Sequence, residues 1–142
     1  MRVLAIDVGQ RRVGLAISDP TGTLARPLTT LSVDPDSAVD RVAHKIAQLA
    51  GEDDGVGEIV VGMPLHLDGS PSEQTARVTA FVAALQRRTP VTVRVVDERL
   101  TSREAESRLA VTERDWRRRK ETLDAAAAAV FLQDYLDHGR HG

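Results

Sequence analysis

Four acidic residues lie where carboxylates can do chemistry. Asp7 interrupts the apolar run "LAIDVG", Asp97 and Glu98 directly follow the apolar run "VTVRVV", and Asp124 precedes a run of alanines. A charged side chain in an apolar segment is costly unless something compensates the charge. Carboxylates that are brought together raise each other's pKa values, and a divalent cation keeps all of them ionised. We therefore predict a metal site built from Asp7, Asp124 and one of the two acids at positions 97 and 98.

The expected metal is Mg²⁺ or Mn²⁺, because these ions prefer oxygen ligands and the chain has no cysteine for a thiolate site. Two such ions, about 3.5 to 4 Å apart, would activate a water molecule and stabilise the leaving oxygen of a phosphodiester. The acidic residues therefore indicate hydrolysis of a nucleic-acid backbone.

Each acid also has a plainer interpretation. Asp7 could accept hydrogen bonds from the turn that follows its strand, and Asp124, in the first turn of the last predicted helix, could stabilise that helix by about 0.3 to 1 kcal/mol. Strand alternation sends Asp97 and Glu98 to opposite faces of a sheet, so only one of them can easily face Asp7. The other could pair with Arg99 or cap the next helix.

Asp124 shares a helix face with Ala127, Ala128 and Phe131, at spacings of three, four and seven residues. These residues are apolar and mostly small. We therefore predict that this stripe packs closely on the sheet, with Asp124 at the rim of the buried face.

Strand-like and helix-like segments alternate along most of the chain, which predicts an α/β protein. The predicted strands cover 2–8, 13–18, 24–31, 58–63 and 91–96, and the predicted helices cover 34–50, 71–88, a segment from 101 and 121–136. Asp34-Pro35 and two capping boxes, Ser70–Glu73 and Thr101–Glu104, mark helix starts. Pro27 suits an edge strand. We expect a mixed five-stranded sheet flanked by helices.

Length and composition fit one ordinary globular domain, residues 1–142, with 42% apolar and 28% charged residues. No apolar h-region opens the chain and no apolar window approaches 18 residues, so we expect a cytoplasmic protein with no membrane partner. The net charge of −2 excludes bulk electrostatic attraction to nucleic acid. Any nucleic-acid partner must be held by a local patch.

One such patch is "RDWRRRK", residues 114–120, where five positive charges face one negative charge. Trp116 could stack on an unpaired base while Arg117 and Arg118 contact the backbone. The plainer interpretation is a solvated turn that Trp116 anchors. Four other arginines flank the acids and could also contact a nucleic-acid backbone: Arg11, Arg12, Arg99 and Arg103.

Four blocks of sequence resemble the motifs of the YqgF family, also called RuvX. They are "AIDVGQRRVGLAISD", "VGMPLHLDGS", "VVDERLTSREAESRL" and "LDAAAAAVFLQDYL", in the family's order over nearly the whole chain. The resemblance implies an RNase H-like fold related to the Holliday junction resolvase RuvC. It also implies that the family acids fall on Asp7, Glu98 and Asp124, which favours Glu98 over Asp97. His66 departs from an asparagine often found in the family.

The resemblance further implies a metal-dependent endonuclease that processes the 5′ end of pre-16S rRNA in ribosome biogenesis. Resolution of Holliday junctions in DNA recombination and repair is the alternative, and a non-catalytic nucleic-acid-binding module is a third possibility. The expected substrates are structured RNA or branched DNA, and the expected assembly is a monomer or a homodimer. A sugar-kinase-like ATPase would share the D-x-G turn but needs two lobes, and 142 residues supply one.

Overall fold

A computed structural model describes residues 1–64, 68–97 and 116–138, with residues 116–123 described by their backbone. The elements, in chain order, are β1 (Arg2–Val8), β2 (Arg12–Ser18), β3 (Ala25–Ser32), α1 (Ala38–Ala50), β4 (Val56–Met63), α2 (Glu73–Gln86), β5 (Thr92–Asp97) and α3 (Trp116–Asp137). Their order and type agree with the sequence prediction. The helix predicted to start at Thr101 lies outside the described residues.

The five strands form one mixed sheet in the order β3-β2-β1-β4-β5, which confirms the predicted architecture. β1, β2 and β3 pair antiparallel, whereas β4 pairs parallel with both β1 and β5. β3 is an edge strand, as Pro27 predicts. The carboxyl ends of β1, β4 and β5 therefore meet at one end of the sheet, which is where ligands bind in open α/β sheets.

Helices cover both faces of the sheet. On one face, which we call the α1/α2 face, Leu4, Ile6 and Val8 of β1 pack in a core with residues of α1 and α2. On the other, the α3 face, Val3 and Ala5 pack in a second core with residues of α3. Because successive strand residues alternate between faces, these two cores fix the direction of every side chain along β1.

The first two helices begin later than predicted. The Asp34 carboxylate accepts hydrogen bonds from the backbone N–H groups of Asp36 and Ser37, at 3.1 and 2.9 Å. These hydrogen bonds stabilise a turn that precedes α1, and the helix starts at Ala38. Prediction of a helix start at Asp34-Pro35 is wrong because an aspartate stabilises a turn as readily as a helix N-terminus.

The capping box predicted at Ser70 is also wrong. The Asp68 carboxylate accepts hydrogen bonds from the Ser70 backbone N–H at 2.8 Å and from its hydroxyl at 2.6 Å, so Ser70 belongs to the preceding turn. The capping box lies two residues further on, where the Ser72 N–H donates to the Thr75 hydroxyl at 2.7 Å. α2 therefore starts at Glu73.

The last helix starts earlier than predicted, at Trp116 instead of residue 121. Residues 116–120 of the basic segment are therefore helical, and the interpretation of this part as a turn is wrong. Arginine, lysine, glutamate and alanine are all good helix formers, which accounts for the extension. None of the helices in the described ranges combines the length and apolarity that crossing a bilayer requires.

The longer helix changes the interpretation of Asp124. A start at Trp116 puts this residue more than two turns inside α3. Favourable interaction with the helix dipole is confined to the first turn. Stabilisation of the helix N-terminus therefore does not account for an acid at this position.

A polar loop joins β2 to β3. The Asp19 carboxylate accepts hydrogen bonds from the N–H groups of Thr23 and Leu24, at 2.8 and 2.9 Å, and from the Thr21 hydroxyl. The Thr21 hydroxyl, followed by the Leu24 and Thr23 amides, lowers the pKa of Asp19 from its usual 3.8 to about 2. The ionised carboxylate therefore stabilises this loop.

We expect Asp19→Asn to lower the free energy of unfolding at pH 7, and the difference from the parent protein to shrink toward pH 2. Because the folded pKa lies below the unfolded one, the stabilisation is complete above about pH 4 and is lost as the pH falls through about 2. Urea unfolding at several pH values measures this difference. Asp54→Asn, in an exposed loop, is the control, and an equal loss at every pH would contradict the assignment.

Candidate active site

Asp7 lies at the carboxyl end of the central strand, one residue before β1 ends. It is half-buried, and alternation from Val3 and Ala5 places it on the α3 face. Its register partner on β2 is Gly14. The predicted position of Asp7 at a strand end is therefore confirmed.

Gly14 is the point at which α3 touches the sheet. A Cβ atom on Gly14 would lie 2.2 Å from the carbonyl oxygen of Asp124 and 2.8 Å from the backbone nitrogen of Ala125. Only glycine can therefore occupy this position without moving the helix. The Asp124 backbone thus lies over the residue that pairs with Asp7, and two of the predicted acids come to one place on one face.

Small residues on α3 allow this close approach. Ala127, Ala128 and Phe131, which share a helix face with Asp124, are 3%, 0% and 2% exposed. The sequence predicted this stripe to pack on the sheet with Asp124 at its rim. Both parts are confirmed, since the Asp124 side chain is only 26% exposed.

Arg12 forms an ion pair with Asp124. Its Nε lies 3.3 Å from Oδ2 of Asp124, and its side chain is 23% exposed. Arg12 lies two residues before Gly14 on β2 and so shares the α3 face. A positive charge therefore already accompanies one of the two carboxylates.

Arg11 has a different environment. It is exposed, and its carbonyl oxygen accepts a hydrogen bond from the Val33 N–H at 2.8 Å, which ties the β1–β2 turn to the end of β3. Gly9 closes the same turn through a 2.8 Å hydrogen bond from its N–H to the Arg12 carbonyl oxygen. Arg11 and Arg12 thus flank the end of β1 at which Asp7 lies.

Asp97 lies on the face of the sheet opposite Asp7. It ends β5 and pairs with Met63 of β4, which packs against the α1/α2 core. Its neighbour Val96 packs against the α3-side core, so alternation turns Asp97 away from Asp7. Asp97 is therefore excluded from the group of acids on the α3 face.

Several predicted site residues are not placed by the structure. Glu98, Arg99, Arg103 and His66 lie outside the described residues. Trp116, Arg117 and Arg118 lie in the first turn of α3, where the backbone alone is described. Their predicted contacts with nucleic acid stay predictions.

Within the described ranges, no group of three or more His, Cys, Asp or Glu side chains could hold a metal ion. Asp7 and Asp124 nevertheless fit one in their chemistry. Both carry carboxylate oxygens, they approach one strand end on the same face, and oxygen is the donor that Mg²⁺ and Mn²⁺ prefer. The predicted ligand set is these two acids together with Glu98, so the metal site stays a prediction.

Sequence reasoning missed a polar network that anchors α3. Glu58 of β4 accepts a hydrogen bond from the Tyr135 hydroxyl at 2.6 Å and pairs with Arg94 of β5 at 2.8 Å. The network joins the carboxyl-terminal part of α3 to two strands. Near Asp124, the backbone of the same helix contacts Gly14. For Gly14 the available signal was a glycine inside a strand, which often marks a close backbone approach.

The mixed sheet with helices on both faces is the RNase H-like fold of the RuvC type. RuvC of Thermus thermophilus superposes with a TM-score of 0.57 and 16% identity, covering 98% of this chain and 97% of RuvC. Fowlpox virus resolvase, solved with Holliday junction DNA, superposes with a TM-score of 0.59 and 12% identity, covering 96% and 97%. At these identities, the likeness shows the fold.

A family model described as "RuvX: Holliday junction resolvase" matches residues 1–138. The chain belongs to the RuvX family. Two relatives, each named "Putative pre-16S rRNA nuclease", come from Chloroflexus aggregans and Dechloromonas aromatica. The first is 42% identical, covering 98% of this chain and 95% of the relative, and the second is 41% identical, covering 98% and 92%.

We expect Gly14→Ala to lower the free energy of unfolding by about 3 kcal/mol, the upper end of the usual cost of overpacking. The added methyl group meets backbone atoms of α3, which must move away from β2. Urea unfolding measures the loss. Gly51→Ala is the matched control, because a Cβ atom there lies 3.5 Å from its nearest neighbour. Equal stability of the two variants would contradict the close approach.

Proposed function

We propose that this protein is a metal-dependent endonuclease that hydrolyses phosphodiester bonds at the 5′ end of pre-16S rRNA. The observation that carries the chemistry is the passage of the Asp124 backbone over Gly14, the register partner of Asp7. The support for the substrate is the identity of 35 to 42% to relatives named as pre-16S rRNA nucleases. Such an activity would take place in the cytoplasm, and we infer that residues 1–142 act in it as one domain.

The proposed ligands of the metal are Asp7, Glu98 and Asp124. Glu98 completes the set because the resemblance to the RuvX motifs implies a family acid at this position, and because Asp97 lies on the other face of the sheet. Bound Mg²⁺ or Mn²⁺ would polarise the phosphate, lower the pKa of the attacking water and stabilise the leaving oxygen.

Arg12 is proposed to hold the Asp124 carboxylate and to contact the scissile phosphate. Its Nε is engaged with Asp124, and a guanidinium has further N–H donors, which suit phosphate oxygens. The other proposed contacts with the nucleic-acid backbone and bases are Arg11, Arg99, Arg103, Trp116, Arg117 and Arg118. Because the net charge is −2, we expect affinity for nucleic acid to depend strongly on salt.

The description of the family model favours a second candidate function, resolution of Holliday junctions. Symmetric resolution needs two active sites and therefore a homodimer, whereas a monomer suits RNA processing. The solved resolvases share 12 to 18% identity with this chain. At that identity, their likeness supports a common fold and not a common substrate. We therefore propose rRNA processing, and the assay below includes both substrates.

We expect Asp7→Asn to lower the cleavage rate at least about a hundredfold, because it removes a negative charge that the metal site requires. The assay uses a 5′-extended 16S rRNA fragment and a four-way DNA junction, each with Mg²⁺ or Mn²⁺. Asp54→Asn, the same substitution in the α1–β4 loop at the other end of β4, should cleave like the parent.

Undiminished cleavage by Asp7→Asn would refute the mechanism. Faster cleavage of the junction than of the RNA by the parent protein would instead favour the resolvase function.

Substitutions of Asp97 and Glu98 should differ in their effect on cleavage. We expect Glu98→Gln to abolish cleavage and to weaken Mn²⁺ binding measured by calorimetry, whereas Asp97→Asn should retain both. The reason is that Asp97 lies on the α1/α2 face, away from Asp7. The reverse result would show that the site is assembled from the other acid.

A further inference from the structure

A cavity of about 260 Å³ opens on the α1/α2 face of the sheet. It lies at the same end of β1 as the proposed site, which is on the opposite face. Its walls are largely apolar and come from the end of β1 and from the first turns of α1 and the middle of α2. The apolar side chains in the wall are those of Val8, Pro35, Ala38, Val39, Ala80 and Phe81. Such a concave, apolar site with few polar groups is typical of ligand pockets.

The rim of the cavity carries groups that can recognise a polar ligand. Arg77 of α2 and Gln10 of the β1–β2 turn both line it, and both are exposed. Arg77 brings a positive charge, and the Gln10 side-chain amide can both donate and accept hydrogen bonds. The cavity therefore matches a ligand whose body is apolar, whose edge carries hydrogen-bonding groups, and which has a negative charge next to it.

The cavity is also close to the proposed scissile site. Val8 and Gly9, which line it, are the two residues that directly follow Asp7 in the chain. With a strand rise of about 3.3 Å per residue, the two sites share one end of β1 and differ in the face that they use. A strand whose phosphate lay at Asp7 would reach the cavity around this end of β1.

We propose that this cavity receives one unpaired nucleobase of the RNA strand bound at Asp7, with Arg77 near an adjoining phosphate. The proposal rests on the proposed function for the presence of that strand. The volume is below the roughly 300 to 1,000 Å³ of sites for drug-sized ligands, which suits a single base. Single-stranded RNA is recognised through splayed bases packed against apolar and aromatic side chains, as Phe81 and its neighbours offer here.

The first test uses mononucleotides and does not depend on cleavage. Nucleoside 5′-monophosphates and, separately, inorganic phosphate are titrated into the ¹⁵N-labelled full chain. We expect the nucleotides, and not phosphate alone, to shift the amide signals of Gly9, Ala38 and Ala80. Ala80→Phe, which fills the cavity, should remove these shifts. Ala83→Phe, the same change at an exposed α2 position outside the lining, should keep them.

The second test asks whether the base belongs to an RNA strand. Fluorescence anisotropy compares a short single-stranded RNA with versions that carry one abasic residue at successive positions, without added metal. We expect one position to weaken binding by about five- to a hundredfold, the range that stacking of one base supplies. Ala80→Phe should weaken binding of the intact RNA equally and remove the sensitivity to that position, whereas Ala83→Phe should behave like the parent.

Each outcome supports or overturns the proposal. The proposal is overturned if all abasic positions bind equally, or if Ala80→Phe leaves the effect of an abasic position unchanged. This holds even where mononucleotides bind, because the cavity would then bind free nucleotides and not a base of the RNA strand. Absence of amide shifts at the highest soluble nucleotide concentration also overturns it. Failure of the nuclease proposal is read separately, from cleavage by Asp7→Asn, so a protein that binds the base but cleaves nothing refutes the nuclease proposal alone.

Discussion

The contact between the backbone of α3 and Gly14 is the constraint on which the candidate site depends. Without a Cβ atom at Gly14, the carbonyl oxygen of Asp124 can approach the sheet to a distance that any other residue would block. Buried alanines along the same helix stripe keep the whole element close. An acid from the last helix of the chain thereby reaches the strand end that carries Asp7, although 117 positions separate them in sequence.

The two faces of the sheet have different chemical character at this end. On the α3 face, Asp7 lies beside the point where the backbone of Asp124 meets β2, and Arg12 partly compensates the negative charge of Asp124. On the α1/α2 face, the same strand end borders an apolar cavity. Strand alternation places two consecutive residues on these different faces, Asp7 on the charged one and Val8 on the apolar one.

The amino end of β1 is held by a buried arginine. The Arg2 guanidinium donates to the carbonyl oxygens of Gly55 and Leu49, at 2.9 and 3.1 Å, and pairs with Glu52 at 2.9 Å. It thereby ties the central strand to the end of α1, where helix carbonyl groups need donors. Sequence reasoning gave this residue no such role, because a lone arginine before an apolar run does not reveal its acceptors. One end of the sheet is thus fixed by polar contacts, while the other carries the acids.

The sequence by itself determined the order of the elements, the mixed sheet, the edge position of β3 and the buried stripe beside Asp124, because hydrophobic periodicity and proline are local signals. The prediction of helix starts at Asp34 and Ser70 was wrong because the side chains that cap helices also stabilise turns. Only the tertiary structure decided that the backbone of α3 packs against Gly14 and that Asp97 faces away from Asp7. Periodicity says that neighbours alternate, but strand register and helix packing decide which face each residue takes.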